Sequence, residues 1–479
     1  MKKPKTTRRD FISAMGAAGI AAPLGVDAAV NWTGKLRVVQ GPMVGAVTDE
    51  SALVWARVGG EYVVKLEVID ESGVARFGPT TRSFANKDFC IKLEAPRLQA
   101  DTRYQYRIFI DGVEDGYLKD QLPCYLKTAP AVPRKFSAAF GSCAKFQDDP
   151  VQEIWKGVEA VDPDLFLWAG DNVYIDSLHE SVMADCYRRQ RDILSARTLL
   201  RNTPQLAVWD DHDFCLNDQD RRNPAKETAL KVFENYWANP AYGEKNNPGT
   251  YFRYHYAGVD FFFVDVRYYR DPNDAPDDGS KTMLGERQVK WLKEGLANSD
   301  ATFKILVSGS GWSQSKGPNG EAWSSHMSER NDLFDFIVRE EISGVVLISG
   351  DTHVGEFNCI PWSENGGYDL YEMVSSPLAQ KTEKGDWIAR RPEIRLRQVY
   401  SRSTNFGLLS FDMEADDPTI TLTLHDETGM RIFWRPVTLR ASDLVNGKAT
   451  WRDQIDKLSL ARHESWQAGK PYYIPKVED

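Results

Sequence analysis

The chain has 479 residues, which is enough for a large buried core, and more than one domain is expected at this length. Its formal net charge is −10 at pH 7, and so acidic a protein is poorly suited to nonspecific binding of nucleic acid. Six cysteines are too few for a disulfide scaffold, and no segment reaches the length of a transmembrane helix. Composition therefore indicates a soluble protein with more than one domain.

The first 29 residues have the features of an export signal. Residues 7–13 (TRRDFIS) resemble the twin-arginine pattern, and a weakly apolar stretch rich in Ala and Gly follows over residues 14–26. Cleavage is expected near Ala28 or Ala29, and a basic disordered tail is the alternative interpretation. We predict that the twin-arginine export machinery is a partner and that the mature protein is periplasmic or secreted.

Residues 35–130 have the pattern of an all-β domain. Five segments alternate apolar and polar residues with turns between them, at residues 52–58, 62–69, 89–93, 103–111 and 124–128. The stretch from Leu98 through Thr102 to Tyr104 is similar to the tyrosine-corner region of fibronectin-type and purple-acid-phosphatase-type sandwiches. We predict an N-terminal Ig/fibronectin-like β-sandwich, and nothing in it suggests chemistry.

The proline-rich residues 129–133 mark a change of pattern. Beyond them strands alternate with helices, which predicts an α/β domain over residues 134–440. The expected helices cover residues 151–161, 185–201, 285–296 and 328–341, and two buried strands cover residues 261–266 and 304–308. Residues 441–479 are predicted to form a tail, helical around residues 451–467, that covers the site entrance or packs elsewhere on the domain.

Four short apolar runs in the α/β region each end in residues that commonly bind metals. They are residues 136–140 before Cys143, residues 164–168 before Asp171, residues 206–209 before Asp210, Asp211, His212 and Asp213, and residues 345–349 before Asp351 and His353. An Asp after a strand often only caps a helix, and a buried Cys is often inert. Four such ends, however, concentrate like charges that repel one another unless a cation lies among them. The pattern predicts a polynuclear metal site.

These strand ends resemble the PhoD-type alkaline phosphatase family of the metallophosphoesterase superfamily, and the likeness spans nearly the whole chain. Besides the twin-arginine segment, the landmarks are residues 141–143 (GSC), 170–174 (GDNVY), 209–213 (WDDHD), 217–218 (ND), 264–267 (VDVR), 288–292 (QVKWL) and 349–353 (SGDTH). The resemblance implies a four-layer α/β/β/α sandwich behind the N-terminal β-sandwich. It also implies hydrolysis of phosphomonoesters and phosphodiesters.

The resemblance further implies a set of metal ligands. Cys143, Asp171, Tyr174 and His353 would surround a ferric ion. Asp171 would also bridge toward one or two calcium ions, whose sites would be completed by Asp210, Asp211, Asn217 or Asp351, without a fixed assignment. The donor types agree, because thiolate, phenolate and imidazole suit iron while carboxylate and amide oxygens suit Ca²⁺. With only seven histidines in the chain, an imidazole-rich dizinc site would be hard to build.

For catalysis, we expect an oxide or hydroxide held between iron and calcium to attack phosphorus in line. His212 is predicted to donate a hydrogen bond to the phosphate or to protonate the leaving group, and a packed histidine bonded to a backbone carbonyl is the alternative. Arg267 is predicted to clamp the phosphate, and pairing with Asp265 or another acid is an equally plausible interpretation.

The sequence predicts an exported metal-dependent phosphoester hydrolase and leaves its substrate open. One alternative is a phosphodiesterase specific for lipid, nucleotide or wall-polymer diesters. Another is a noncatalytic polymer-binding protein with structural metals. The pocket walls are expected in residues 271–279, 314–323 and 380–391, where Trp323 and Trp387, together with Trp312, either line the pocket or fill the core.

Overall fold

The protein is known from a computed structural model that describes residues 38–119, 123–384 and 390–469. The predicted export signal lies outside the described residues, as do Trp387 and the last ten residues of the predicted tail, 470–479. Within the described ranges, no helix is long and apolar enough to cross a membrane.

Over residues 38–119 and 123–127, the N-terminal region has nine strands in two sheets. They are β1 (Val38–Val47), β2 (Ser51–Val58), β3 (Val63–Ile69), β4 (Ala75–Phe77), β5 (Thr81–Arg82), β6 (Cys90–Pro96), β7 (Arg103–Ile110), β8 (Val113–Glu114) and β9 (Cys124–Lys127). Strands β1, β2 and β6 form one sheet and the other six form the second. Buried and partly exposed residues alternate along β7, as expected for a strand with one face on the core.

This β-rich region is firmly attached to the rest of the chain. The Trp55 indole N–H donates to the Asn235 carbonyl oxygen at 2.8 Å, and the Tyr254 hydroxyl donates to the Val47 carbonyl oxygen at 2.7 Å. The Tyr106 hydroxyl donates to the Arg201 carbonyl oxygen, also at 2.8 Å. These bonds join buried aromatic side chains to distant backbone, so the two regions share one continuous core.

The α/β region contains two large sheets. Its strands are β10 (Phe136–Gly141), β11 (Leu165–Ala169), β12 (Gln205–Val208), β13 (Gly243–Glu244), β14 (Asn247–Pro248), β15 (Phe252–Tyr256), β16 (Val259–Val264), β17 (Phe303–Ser308), β18 (Val345–Ser349), β19 (Glu356–Ile360), β20 (Leu370–Val374), β21 (Ile394–Arg395), β22 (Asn405–Asp412), β23 (Thr419–Asp426) and β24 (Val437–Arg440). One sheet has the order β12-β11-β10-β22-β23-β24, and the other has the order β15-β16-β17-β18-β20-β19-β21.

Helices connect these strands. The α-helices are α1 (Gly116–Lys119), α2 (Ile154–Ala160), α3 (Glu180–Arg191), α4 (Arg197–Asn202), α5 (Asp211–Phe214), α6 (Lys226–Tyr236), α7 (Glu286–Ala297), α8 (Met327–Arg339), α9 (Trp451–Gln454) and α10 (Lys457–Gln467). Short 3₁₀ turns lie at Ala85–Lys87, Gln314–Lys316, Trp323–Ser325, Trp362–Asn365 and Ala441–Asp443.

Parallel strands at the centre of each large sheet place the predicted site residues. In one sheet β10, β11 and β12 are parallel, and in the other β16, β17 and β18 are parallel. All five residues of β11 and of β18 are buried, as expected for parallel strands covered on both faces. The carboxyl ends of parallel neighbours lie at one edge of their sheet, so the loops that follow them converge there.

Two predicted helices differ from the structure. Residues 185–201 belong to two helices, α3 and α4, instead of one, and the Ser195 hydroxyl in the break donates to the carbonyl oxygens of Val151 and Gln152. The predicted tail helix is likewise divided into α9 and α10. Asp456 lies between them and caps α10, because its side chain accepts a hydrogen bond from the Ser459 backbone N–H at 2.7 Å.

Candidate metal centre

Five loops at the ends of parallel strands carry the predicted site residues. Cys143 follows β10, Asp171 and Tyr174 follow β11, residues 210–213 follow β12, Arg267 follows β16, and Asp351 and His353 follow β18. Four of these residues have a left-handed backbone, with φ of 60° at Cys143, 50° at Asp171, 70° at Asp351 and 55° at His353. Such residues cost about 1 to 3 kcal/mol each and concentrate at functional sites.

The first group of converging side chains contains a thiol, a carboxyl, a phenol and an imidazole. The Cys143 sulfur lies 3.4 Å from Asp171 Oδ2, and the Tyr174 hydroxyl lies 3.2 Å from the same oxygen. The Tyr174 hydroxyl is also 3.4 Å from His353 Nε2. One ligand atom each from Cys143, Asp171 and His353 lies within 4.8 Å of the others. This donor set fits a transition metal such as iron.

Burial makes these acids difficult to ionise without a cation. It raises the pKa of the Cys143 thiol to about 11, with Asp351 adding to the effect. Burial, with Asp211 and Cys143 nearby, raises the pKa of Asp171 well above its usual range, and burial does the same for Tyr174. Burial lowers the pKa of His353, which favours the neutral imidazole that binds metals. A bound cation would lower the pKa values of the thiol, the carboxyl and the phenol and so favour their ionised forms.

Two residues after β20 contribute to this group although no motif identified them. The Gln380 side-chain nitrogen lies 2.6 Å from the Tyr174 hydroxyl and 2.9 Å from His353 Nε2. The Ser376 hydroxyl accepts a hydrogen bond from the His353 backbone N–H at 2.9 Å. From the sequence, residue 380 was expected only as part of a pocket wall. The signal that could have found it is the short strand-like run Leu370–Val374, which ends in the polar pair Ser375 and Ser376.

Asp171 also belongs to a second group, with Asp211 and His212, whose ligand atoms lie within 4.8 Å of one another. Asp211 Oδ2 accepts from the Asp218 backbone N–H at 2.7 Å, whereas its Oδ1 is buried without a hydrogen-bond partner. Arg267 Nη2 lies 3.7 Å from that oxygen. A buried carboxylate oxygen without a hydrogen bond fits a hard cation such as Ca²⁺. Asn217, in contrast, is exposed in the turn after α5.

Asp210 and Asp213 mainly hold the end of β12. Asp213 accepts from the Asn172 backbone N–H and from the Tyr187 hydroxyl, both at 3.0 Å. It also accepts from the Asp210 backbone N–H at 3.3 Å, and the two residues form a capping box in which Asp210 is the N-cap of α5 and Asp213 the third residue of the helix. Burial raises the pKa of both carboxyls to about 7, although Arg267 opposes the shift at Asp210. The capping interpretation of an Asp after a strand therefore applies to Asp210 and Asp213 as a pair.

His212 lies beside the first group. Its ring packs against Tyr174, with ring centroids 4.1 Å apart, and its Nδ1 lies 2.8 Å from Asp176 Oδ1. Its backbone N–H donates to Asp171 Oδ1 at 3.3 Å. The ring partner is thus a carboxylate and not the backbone carbonyl expected of a packed histidine. With Nδ1 engaged, Nε2 is the ring nitrogen left for substrate or metal.

Arg267 is completely buried among acids. Its Nε donates to Asp210, and its Nη1 lies 2.8 Å from Glu321. Burial alone would lower the pKa of Arg267, but the negative charges of Asp210 and Glu321 outweigh burial and raise that pKa. Asp265 instead accepts from the backbone N–H groups of Arg267 and Tyr268, at 2.9 Å each. These contacts favour pairing with acids over a free phosphate clamp.

The sequence left open whether Trp312, Trp323 and Trp387 line the pocket or fill the core, and the structure places Trp312 and Trp323 in the core. Trp312 and Trp323 are fully buried and stack on each other, with ring centroids 4.5 Å apart. The indole N–H of Trp323 lies 3.3 Å from the Ser308 hydroxyl, and that of Trp312 lies 3.4 Å from the Ile348 carbonyl oxygen. They fill the space behind β17 and β18.

Gly350 permits the close approach of three strand ends, and Gly350→Ala is expected to disturb the centre. An added Cβ would collide with the Ser142 side chain and lie 2.5 Å from the Ala169 carbonyl oxygen. Ser142 accepts from the Asp351 backbone N–H and donates to the Ser375 carbonyl oxygen, both at 3.1 Å. We expect a destabilisation of about 1 to 3 kcal/mol, measured by urea unfolding, and a lower metal content per chain.

The matched control for that substitution is Gly311→Ala. Gly311 is also buried, and its added Cβ would meet Glu372 and Ser315 at an ordinary 3.7 Å. It should leave metal content unchanged. Equal metal content in the Gly350 variant and the wild type would contradict the role assigned to this close contact.

Comparison with known proteins gives the class of this chain, a hydrolase of the metallophosphoesterase type. The chain belongs to the PhoD-like phosphatase family, whose model matches residues 138–416. It is 23% identical over 447 residues to alkaline phosphatase D of Bacillus subtilis (strain 168), with 78% of this chain and 74% of the relative covered.

Two solved structures have a similar fold. The structure of PhoD superposes with a TM-score of 0.67 at 16% identity, covering 82% of this chain and 91% of that one. The purple acid phosphatase PPD1 from yellow lupin (Lupinus luteus) seeds gives a TM-score of 0.60 at 12% identity, covering 84% and 74%.

These comparisons confirm the predicted family, the predicted fold class and the prediction of an enzyme. The chain is a phosphoester hydrolase in a family of metal-dependent phosphatases. The alternative of a noncatalytic polymer-binding protein is therefore wrong.

Proposed function

We propose that this protein is an alkaline-phosphatase-D-like enzyme that hydrolyses phosphomonoesters and phosphodiesters with one ferric ion and calcium. The observation that carries the proposal is the convergence of four side chains: Asp171 lies within 3.4 Å of Cys143 and of Tyr174, Tyr174 lies 3.4 Å from His353, and ligand atoms of Cys143, Asp171 and His353 lie within 4.8 Å of one another. The ionised forms of a thiol, a phenol and a carboxyl buried together would be unfavourable without a highly charged cation. The Arg8-Arg9 segment supports export by the twin-arginine route to the periplasm or the exterior.

The ligands divide into two sets that share one carboxylate. Cys143, Asp171, Tyr174 and His353 would hold the ferric ion, and Asp171 and Asp211 would hold calcium. The other three predicted calcium ligands have less support from the structure. Asp210 contacts Arg267, Asp351 contacts Lys316, and Asn217 is exposed. When bound, the ions supply an activated water for in-line attack on phosphorus and neutralise charge on the phosphoryl oxygens.

The chain's own catalytic contribution would come from His212. Asp176 holds Nδ1 of the ring, which would fix the tautomer and leave Nε2 as the nitrogen available to a substrate. As the imidazolium, which carries a proton on each ring nitrogen, His212 would donate the Nε2 proton to a phosphoryl oxygen or to the departing alkoxide and be left as the neutral Nδ1–H tautomer held by Asp176. Gln380 would keep Tyr174 and His353 in place through its bonds to both.

The test begins with natively purified protein. We expect one iron per chain, a visible absorption band from phenolate and thiolate bound to iron, and hydrolysis of p-nitrophenyl phosphate. A calcium chelator should lower activity by about tenfold or more while the band persists, and added Ca²⁺ should restore it, because metal activation of water is worth several kcal/mol. Full activity in metal-free protein would overturn the proposal.

Substrate preference needs a second assay. Parallel rates on p-nitrophenyl phosphate, bis-p-nitrophenyl phosphate, nucleotides, a phospholipid and a wall-polymer phosphodiester would separate the broad enzyme proposed here from one specific for diesters. Activity on diesters alone would establish the diester-specific alternative.

A further inference from the structure

The acids on one side of the centre are already paired with cationic side chains. Lys316 Nζ contacts Asp351 Oδ2 and lies 3.3 Å from Glu321 Oε2. Arg270 Nη2 lies 2.9 Å from the other Glu321 oxygen. Arg267 contacts Asp210 in the same way. The carboxylates of Asp351, Glu321 and Asp210 therefore each lie against a cationic side chain.

The carboxylates that remain form two ligand groups, and both contain Asp171. One group adds Cys143 and His353, and the other adds Asp211 and His212. In the part of the chain that the structure describes, neither Asp210, Glu321 nor Asp351 belongs to a group of three ligand atoms close enough for an ion. Asp351 Oδ2 and the Glu321 oxygen beside Arg270 make no hydrogen bond, but each lies within ion-pair distance of a protein cation. Among the described residues, the two groups that contain Asp171 are the ones arranged as ion sites.

Lys316 is held in place by its own loop and is not a surface lysine that happens to lie nearby. It ends the 3₁₀ turn Gln314–Lys316, whose first backbone N–H donates to Glu393 at 3.0 Å. Just before the turn, Ser313 and Trp312 donate their backbone N–H groups to the buried Glu372 at 3.2 and 2.6 Å. Only 15% of the Lys316 side chain is exposed.

The proposed function leaves open whether one or two calcium ions accompany the iron. We propose that this centre takes two metal ions in all and that the Lys316 ammonium occupies the place of a third, between Asp351 and Glu321. An ammonium supplies positive charge and donors where a calcium ion would otherwise be required, and it repels a divalent ion brought to the same carboxylates. This inference rests on the ligand sets of the proposed function.

Calcium stoichiometry tests the inference without reference to activity. Iron-loaded protein stripped of calcium is titrated with Ca²⁺ by calorimetry, and iron is measured separately by elemental analysis. We expect one calcium site per chain in the wild type and two in Lys316→Met, because Asp351 and Glu321 then lack their cation. Lys316→Arg, which keeps the charge, should bind one.

The control is Lys281→Met. Lys281 is also buried, and its ammonium donates to the Asn273 carbonyl oxygen at 2.8 Å instead of to an acid of the centre. This variant should bind one calcium, as the wild type does.

Two outcomes would overturn the inference. Two calcium sites in the wild type would do so whether or not any variant folds. One calcium site in a folded Lys316→Met protein would also do so, and a raised KM for p-nitrophenyl phosphate would then make Lys316 a substrate contact. Wild-type protein that contains no iron would remove the proposed function, whereas iron with two calcium ions would remove only this inference.

Discussion

Asp171→Asn is expected to remove both ions and to lower kcat/KM by about 1,000-fold or more, which corresponds to about 4 kcal/mol of transition-state stabilisation. Asp171 is common to both ligand groups, and its two oxygens face different partners. Oδ2 faces the Cys143 sulfur and the Tyr174 hydroxyl, while Oδ1 accepts the His212 backbone N–H. Asn keeps the shape but lacks the charge and one oxygen, so neither group would retain a bridging carboxylate.

The measurement is elemental analysis together with the visible spectrum, and the control is Asp369→Asn. Asp369 is equally buried but lies away from the centre, where it accepts from the backbone N–H groups of Thr450 and Trp451 at 2.6 and 2.8 Å. That variant should lose stability and keep its metals. An Asp171→Asn protein with the same iron and calcium content as the wild type would contradict the shared-ligand assignment.

The sequence pattern was sufficient to predict which residues lie at the ends of the buried strands, because the signal for a strand end is local. A buried run such as β11 is a short stretch of apolar residues, and the polar residues that follow it are adjacent in the chain. Parallel pairing then brings the ends of β10, β11 and β12 together in one sheet, and the packing of the two large sheets brings the end of β18 to them. The prediction that four metal-binding loops converge rested on the local signal and on this arrangement of sheets, and the positions of Cys143, Asp171 and His353 agree with it.

The partners of those residues were not predictable in the same way, because they are distant in the chain. Gln380 is 206 residues from Tyr174, and Arg267 is 57 residues from Asp210. The sequence left open whether Arg267 binds phosphate or an acid, since an arginine after a strand suits both. Only the packing of β16 beside β12 brings Arg267 to Asp210, and Lys316 reaches Asp351 through a loop without regular periodicity.

The helix over residues 185–201 illustrates a different limit. Its composition favours helix throughout, but the break between α3 and α4 is stabilised by contacts to the distant residues Val151 and Gln152. Tertiary hydrogen bonds of this kind override local propensity, which is a weak preference at any single residue. The same applies to the predicted tail helix, where the cap at Asp456 begins a new helix.

His212→Asn is expected to lower kcat by about 100- to 10,000-fold, the usual contribution of a general acid, while iron and calcium content stays at the wild-type level. The reason is geometric: Asp176 holds Nδ1 at 2.8 Å and the ring is supported by Tyr174, so Nε2 is the group that can reach a leaving oxygen. An Asn at this position keeps a hydrogen-bond donor for the phosphate but cannot transfer a proton.

The substrate can separate proton donation from simple binding. Activated p-nitrophenyl esters have leaving groups that need little protonation, whereas alkyl phosphates need a full proton, so the loss in His212→Asn should be larger for alkyl esters. Asp176→Asn should show a smaller loss with the same dependence on the leaving group, because Asp176 acts only by orienting the ring. Because His212 also lies within ligand distance of Asp171 and Asp211, loss of calcium in His212→Asn would instead make the imidazole a metal ligand.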